Sequence, residues 1–135
     1  MATIQRFEEI EAWQTARVLT RTIYTVSGRG AFGRDFALRD QVRRAAVSVL
    51  SNIAEGFESG TRPQFLRYLG HAKASAGEVR AQLYVALDVG HLSEKEFDEL
   101  RDLAEKCSRQ LYRFIAYLEA HPEPRRVTES GIEYE

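Results

Sequence analysis

The sequence predicts an all-α protein folded as one antiparallel, up-down-up-down four-helix bundle. Three observations predict it. Apolar residues recur at steps of three and four along four separate segments, the spacing that lines one face of a helix. Glycine or glycine–proline clusters punctuate the gaps between those segments. Prolines occur only at 63, 122 and 124, so none falls where it would break a helix interior.

The first helix is expected over about residues 7–26, with Ala12, Ala16, Leu19, Ile23 and Val26 as its seam. Glu8, Glu9 and Glu11 suit the positive end of its dipole, and Gly28, Gly30 and Gly33 end it. The second is expected over 36–55, on Leu38, Val42, Ala45, Val49 and Asn52, with Gly56 and Gly60 marking its end. The third, over 62–89, opens with Thr61 as cap and Pro63 in the first turn. Its seam is Phe65, Leu69, Ala72, Ala76, Val79, Leu83 and Ala86. Gly70 and Gly77 inside it predict close approach of a neighbouring helix. The fourth, over 94–120, opens with the capping box Ser93-Glu94-Lys95-Glu96 and runs on Phe97, Leu100, Ala104, Cys107, Leu111, Phe114 and Leu118. Residues 1–120 thus form one domain, and 121–135 are expected to be a polar, mobile tail. No strand alternation is visible anywhere.

A chain of 135 residues with 44% hydrophobic and 29% charged residues can bury a core without disulfides or metal. The single cysteine excludes an intramolecular disulfide and suits a reducing, cytoplasmic location. No segment has the length and apolarity of a membrane span, and residues 1–6 lack the core of a signal peptide. The net charge of −1 argues against a strong electrostatic nucleic-acid binder. The charge is uneven, however. Residues 29–80 hold nine basic and five acidic side chains, a net of +4, and residues 81–135 hold seven and twelve, a net of −5. Arg39, Arg43, Arg44, Arg62, Arg67 and Lys73 are therefore the candidate polyanion-binding residues.

The second helix carries a second apolar stripe of Phe36, Val47, Leu50, Ala54 and Phe57. The first adds Ile10, Trp13 and Tyr24. A four-helix core uses about one stripe per helix, so the excess predicts burial against another copy of the chain. The remaining side of the second helix is polar: Arg44, Ser48, Ser51 and Glu55 are mutually three or four apart. This stripe is either a solvated face or a recognition groove shared with Gln64, Arg67, His71, Glu78 and Gln82 on the third helix. Asn52, on the apolar seam, is expected to fix register.

Catalytic chemistry finds no footing. A di-iron bundle needs Glu-x-x-His pairs, and the nearest match is Asp88-x-x-His91 at a helix end. One cysteine cannot build a zinc site, and no Walker motif or nucleophile elbow occurs. The arginine–histidine spacing of HEPN-type helical ribonucleases is missed, since only three residues separate Arg67 from His71. The expectation is a non-enzyme with no cofactor and no metal.

The segment from Gln41 to Phe57, with its Ser48…Ser51-Asn52-Ile53-Ala54-Glu55-Gly56 core, resembles the hallmark of the 23S rRNA intervening-sequence protein family. The resemblance continues through Phe65-Leu66-Arg67-Tyr68-Leu69, Ala72, Ser75, Glu78 and Leu83, and reaches back to Phe7, Glu11, Trp13, Gln14, Ala16 and Arg17. It covers about residues 6–120. Leu50 departs from the family pattern, in which proline is frequent at that position. The resemblance implies a bacterial four-helix bundle assembled as a homopentamer. It is also similar to the accessory protein of diversity-generating retroelements, which implies RNA, DNA or a nucleic-acid-processing protein as a partner.

Overall fold

The computed structural model describes residues 4–121, 126–128 and 131–133. Five helices make up the body: α1 (Glu11–Ser27), α2 (Gly30–Arg34), α3 (Phe36–Glu58), α4 (Arg62–Asp88) and α5 (Glu94–Ala120). The four long ones are the predicted bundle. Contacts run α1–α3, α3–α4, α4–α5 and back from α5 to α1. The pairing is antiparallel. Thr20 Oγ1 donates to the Ala46 carbonyl, Ser48 meets Ser75, Arg80 meets Glu105, and Cys107 Sγ donates to the Ala12 carbonyl.

Four local features differ from the sequence reading. Helix α1 starts at Glu11, because Phe7–Glu9 form a 3-10 turn and Ile10 is extended at φ −75°, ψ 123°. That break turns the Ile10 side chain into the core. The region read as a glycine break holds α2, whose Phe32 is buried as a plug at that end of the bundle. Helix α3 runs three residues past Glu55, and its seam passes through Ile53, Gly56 and Phe57 instead of Asn52. A Cβ on Gly56 would lie 2.7 Å from Tyr68 Cβ and 3.0 Å from Phe65 Cδ1, so this glycine admits α4 rather than stopping α3. The turn is made at Gly60, at φ +82°, a backbone that favours glycine. Gly70 and Gly77 behave oppositely: both are exposed, and a Cβ on either would meet nothing within 4 Å. Each costs α4 about 1 kcal/mol against alanine with no return inside this chain.

The caps follow the sequence. Asp35 accepts from Leu38 N–H, Thr61 accepts from Gln64 N–H, and Ser93 and Glu96 form the reciprocal box at 3.1 and 3.0 Å. The core is continuous along the bundle. One end packs Ile53, Phe65, Leu69, Leu111 and Leu118, and the other packs Leu19, Ile23, Val42, Val79, Leu83 and Leu100. Phe65 meets Phe57 and Phe114 edge-on, at 6.1 and 5.5 Å between centroids. In the tail, β1 (Arg126–Thr128) pairs antiparallel with β2 (Gly131–Glu133), Val127 opposite Ile132. Three-residue strands are too short to show as alternation. The rest of the tail expected to be mobile lies outside the described residues.

Candidate interaction surfaces

The second stripe of α3 faces outward beside α1. Phe36 is 62% exposed, Tyr24 45% and Val47 37%, with Trp13, Leu50 and Ala54 half-buried between them. Ile10 and Phe57, expected on this face, are instead core residues: the extended backbone at Ile10 and the prolonged α3 at Phe57 turn both inward.

Arginines carpet the rings. Arg17 lies over Trp13 at 5.8 Å, Arg39 over Phe36 at 4.7 Å and Arg43 over Tyr24 at 4.5 Å. Two of these guanidinium groups are also committed to helix ends. Arg43 donates to Ser27 Oγ at 2.8 Å and to the Tyr24 carbonyl at 3.3 Å, capping the end of α1. Arg39 donates to the Gly33 carbonyl at 3.1 Å, closing α2, and pairs with Asp40 at 2.9 Å. Cations satisfied in this way tolerate burial under a partner better than free ones.

The six candidate polyanion residues do not converge. Arg39 and Arg43 belong to the α1/α3 face. Arg44 lines a separate cleft of about 180 Å³ between α3 and α4, with Gln41, Ala45, Ser48 and Glu78. On α4, Lys73 lies within about 20° of Arg62, whereas Arg67 is turned roughly 140° from Arg62 at 100° per residue. The polar stripe is divided in the same way. Ser48 Oγ and Ser75 Oγ are 2.9 Å apart, and Asn52 Nδ2 donates to the Ser48 carbonyl and hydroxyl at 2.8 and 2.9 Å. Ser48 and Asn52 thus bind α3 to α4, Ser51 is half-buried, and Arg44 and Glu55 are exposed. Glu78 on the facing helix accepts from Gln82 Nε2 at 3.4 Å.

A contact not foreseen from the sequence joins His91 to Asp35. Their Nε2 and Oδ2 are 2.9 Å apart, and the imidazole stacks on Phe32 at 5.0 Å. His91 therefore serves the end of the bundle rather than pairing with Asp88. Its hydrogen bond, reinforced by Leu38 N–H, holds the Asp35 carboxyl below the ordinary carboxylate range. The 56-residue separation leaves no local motif from which to foresee the pair. Cys107 is buried, which pushes its thiol up to about 12 and leaves it a poor nucleophile. Among the described residues no group of three or more His, Cys, Asp or Glu could hold a metal ion. A further cleft of about 300 Å³ opens between α1 and α5 over Ile4, Ile10, Ala12 and Phe114, lined mainly by apolar and rim-charged side chains.

The family model described as 23S rRNA-intervening sequence protein matches residues 8–113. This chain belongs to that family. The matched span takes in α1 through most of α5, so the intervening-sequence family assignment rests on the whole bundle. Among solved structures, the chain is similar to a protein of unknown function from the S23 ribosomal protein family of Bacteroides thetaiotaomicron. Identity is 16%, the match covers 78% of this chain and 95% of the other, and the TM-score is 0.72. At that identity the likeness supports the shared helical fold. No curated protein matches the chain. Among the described residues no helix is long and apolar enough to cross a membrane.

Proposed function

We propose that this intervening-sequence family protein is a non-enzymatic, cytoplasmic, homo-oligomeric module that scaffolds or binds other macromolecules. The observation that carries the proposal is the α1/α3 face. Phe36, Tyr24 and Val47 on it are exposed in the single chain, and its arginines already have partners. Exposed aromatic and aliphatic side chains gathered on one face are costly to leave in water and are often covered by a partner. The family resemblance supports five copies. Light scattering at micromolar concentration tests this, with a mass well above the 15.4 kDa of one chain as the expected result. Leu50→Arg should abolish assembly while leaving helicity intact, because Leu50 is half-buried at the edge of the core and a long arginine there can turn its charge outward into the covered face. A single-chain mass for the unaltered protein ends the proposal.

The charge of residues 29–80 favours a second reading, weak polyanion binding. Arg44, Arg67 and Lys73 are exposed and lie outside the α1/α3 face. A closed assembly would repeat them and add avidity. Substituting all three together should reduce binding to structured RNA and duplex DNA at low salt, and affinity should fall as salt rises. Binding that is indifferent to the triple substitution argues for a protein scaffold alone.

A further inference from the structure

Helices α3 and α4 meet along a polar line, and one cleft in that line holds two unlike charges that do not join. The cleft, about 180 Å³, is lined by Gln41, Arg44, Ala45 and Ser48 of α3 and by Glu78 of α4. An acid and a base on neighbouring helices can close into a pair, as Arg80 of α4 does with Glu105 of α5 at 3.5 Å. Among the described residues, neither Arg44 nor Glu78 takes part in an ion pair. Both are exposed, so the cleft is open to solutes. Its floor is fixed: Ala45 is buried, and Ser48 Oγ is held by Ser75 Oγ at 2.9 Å and by Asn52 Nδ2 at 2.9 Å. One turn along α4 from Glu78, the Gln82 amide donates to that carboxylate through Nε2 at 3.4 Å. Its Oε1 is buried without a hydrogen-bond partner. A buried carbonyl oxygen without a donor is costly, so this end of the cleft lacks a donor.

We infer that the cleft is a binding site for a small zwitterionic amino acid. Arg44 offers a planar fork of donors to a carboxylate. Glu78 accepts from an ammonium group, which brings a donor to the side where Gln82 Oε1 has none. The Gln41 amide has no partner among the described residues, and it can donate to the one head and accept from the other. A simple anion at Arg44 would face the Glu78 carboxylate, and a simple cation at Glu78 would face the guanidinium. A molecule that carries both charges on neighbouring atoms satisfies both walls, and each wall rejects a ligand of its own sign. The volume is below the roughly 300–1,000 Å³ of drug-sized sites and suits a molecule with a short side chain. The site lies between α3 and α4, away from the α1/α3 face, so it stands whether or not the chains associate.

Isothermal titration calorimetry of the unaltered protein with the common L-amino acids, propionate and ethylammonium tests this. At least one amino acid with a short side chain should bind saturably, one molecule per chain. Propionate and ethylammonium should bind at least about tenfold more weakly, the loss of one charge-assisted hydrogen bond. Arg44→Gln and Glu78→Gln should each weaken the amino acid by a similar factor. The two variants should part on the single-charge probes. Glu78→Gln should bind propionate more tightly than the unaltered protein does, and Arg44→Gln should do the same for ethylammonium, gains that a misfolded variant could not show. Four results overturn the site: no saturable binding by any amino acid, propionate bound as tightly as the best amino acid, amino-acid binding indifferent to both substitutions, or weakening without either gain.

Discussion

Leu111 has no exposed surface, and α1, α3 and α4 close over it at one end of the core. Leu111→Ala should lower stability by about 2–5 kcal/mol, the range for a buried leucine whose cavity does not fully collapse. Denaturant titration measures it. Asp35 works by charge. Its folded carboxyl titrates below the ordinary range because His91 and Leu38 N–H favour the ionised form. A lowered folded pKa means that the stabilising contribution is complete above the unfolded carboxyl value of about 3.9. It is lost as pH falls through the lower folded value. Asp35→Asn should therefore melt below the unaltered protein at neutral pH, and the difference should shrink below about pH 4. Melting temperatures of both proteins between pH 7 and pH 2 decide it, and a constant difference would refute the linkage. Glu96 is shifted the same way, first by Ser93 N–H and then by Arg29, so it adds to the overall acid sensitivity without distinguishing the two proteins.

Among the helices, glycine carries two opposite meanings. Gly56→Ala would force a Cβ against the Tyr68 and Phe65 side chains and should cost about 1–3 kcal/mol, as overpacking does. Gly77→Ala meets open space in ordinary helical backbone and should make α4 of the single chain more stable by about 0.5–1 kcal/mol. Thermal melts of the two variants, both made in the Leu50→Arg background, should move in opposite directions. The sequence points the other way at both: Gly56 reads as a helix end and Gly77 as a point of close approach, and only the path of α4 past Gly56 reverses that. Caps were readable because they act over three or four residues, as the Ser93–Glu96 box does. The five-residue α2 was not, since it is too short to show a period and is held by Phe32 in the core.

For the molecule as a whole, the seams of α4 and α5 were legible except at Phe114, which is half-buried against the core, because a strict step of three and four leaves one way to bury them. The outer faces were only partly legible. Ile10 and Phe57 share the spacing of the outward stripe, yet a break before α1 and an extra turn of α3 draw them inside. The polyanion candidates shared a stretch of sequence without sharing a surface, since helical rotation scatters neighbours. One residue beside the outward stripe of α3 also gives the proposed association a readout without a label. Trp13 is the only tryptophan in the chain, and it sits half-buried against Phe7, with ring centroids 5.2 Å apart, under the guanidinium of Arg17. Its intrinsic fluorescence reports on that one spot. Dilution that parts the copies would wet the indole and move its emission to longer wavelength, so a simple optical titration would read the association constant directly.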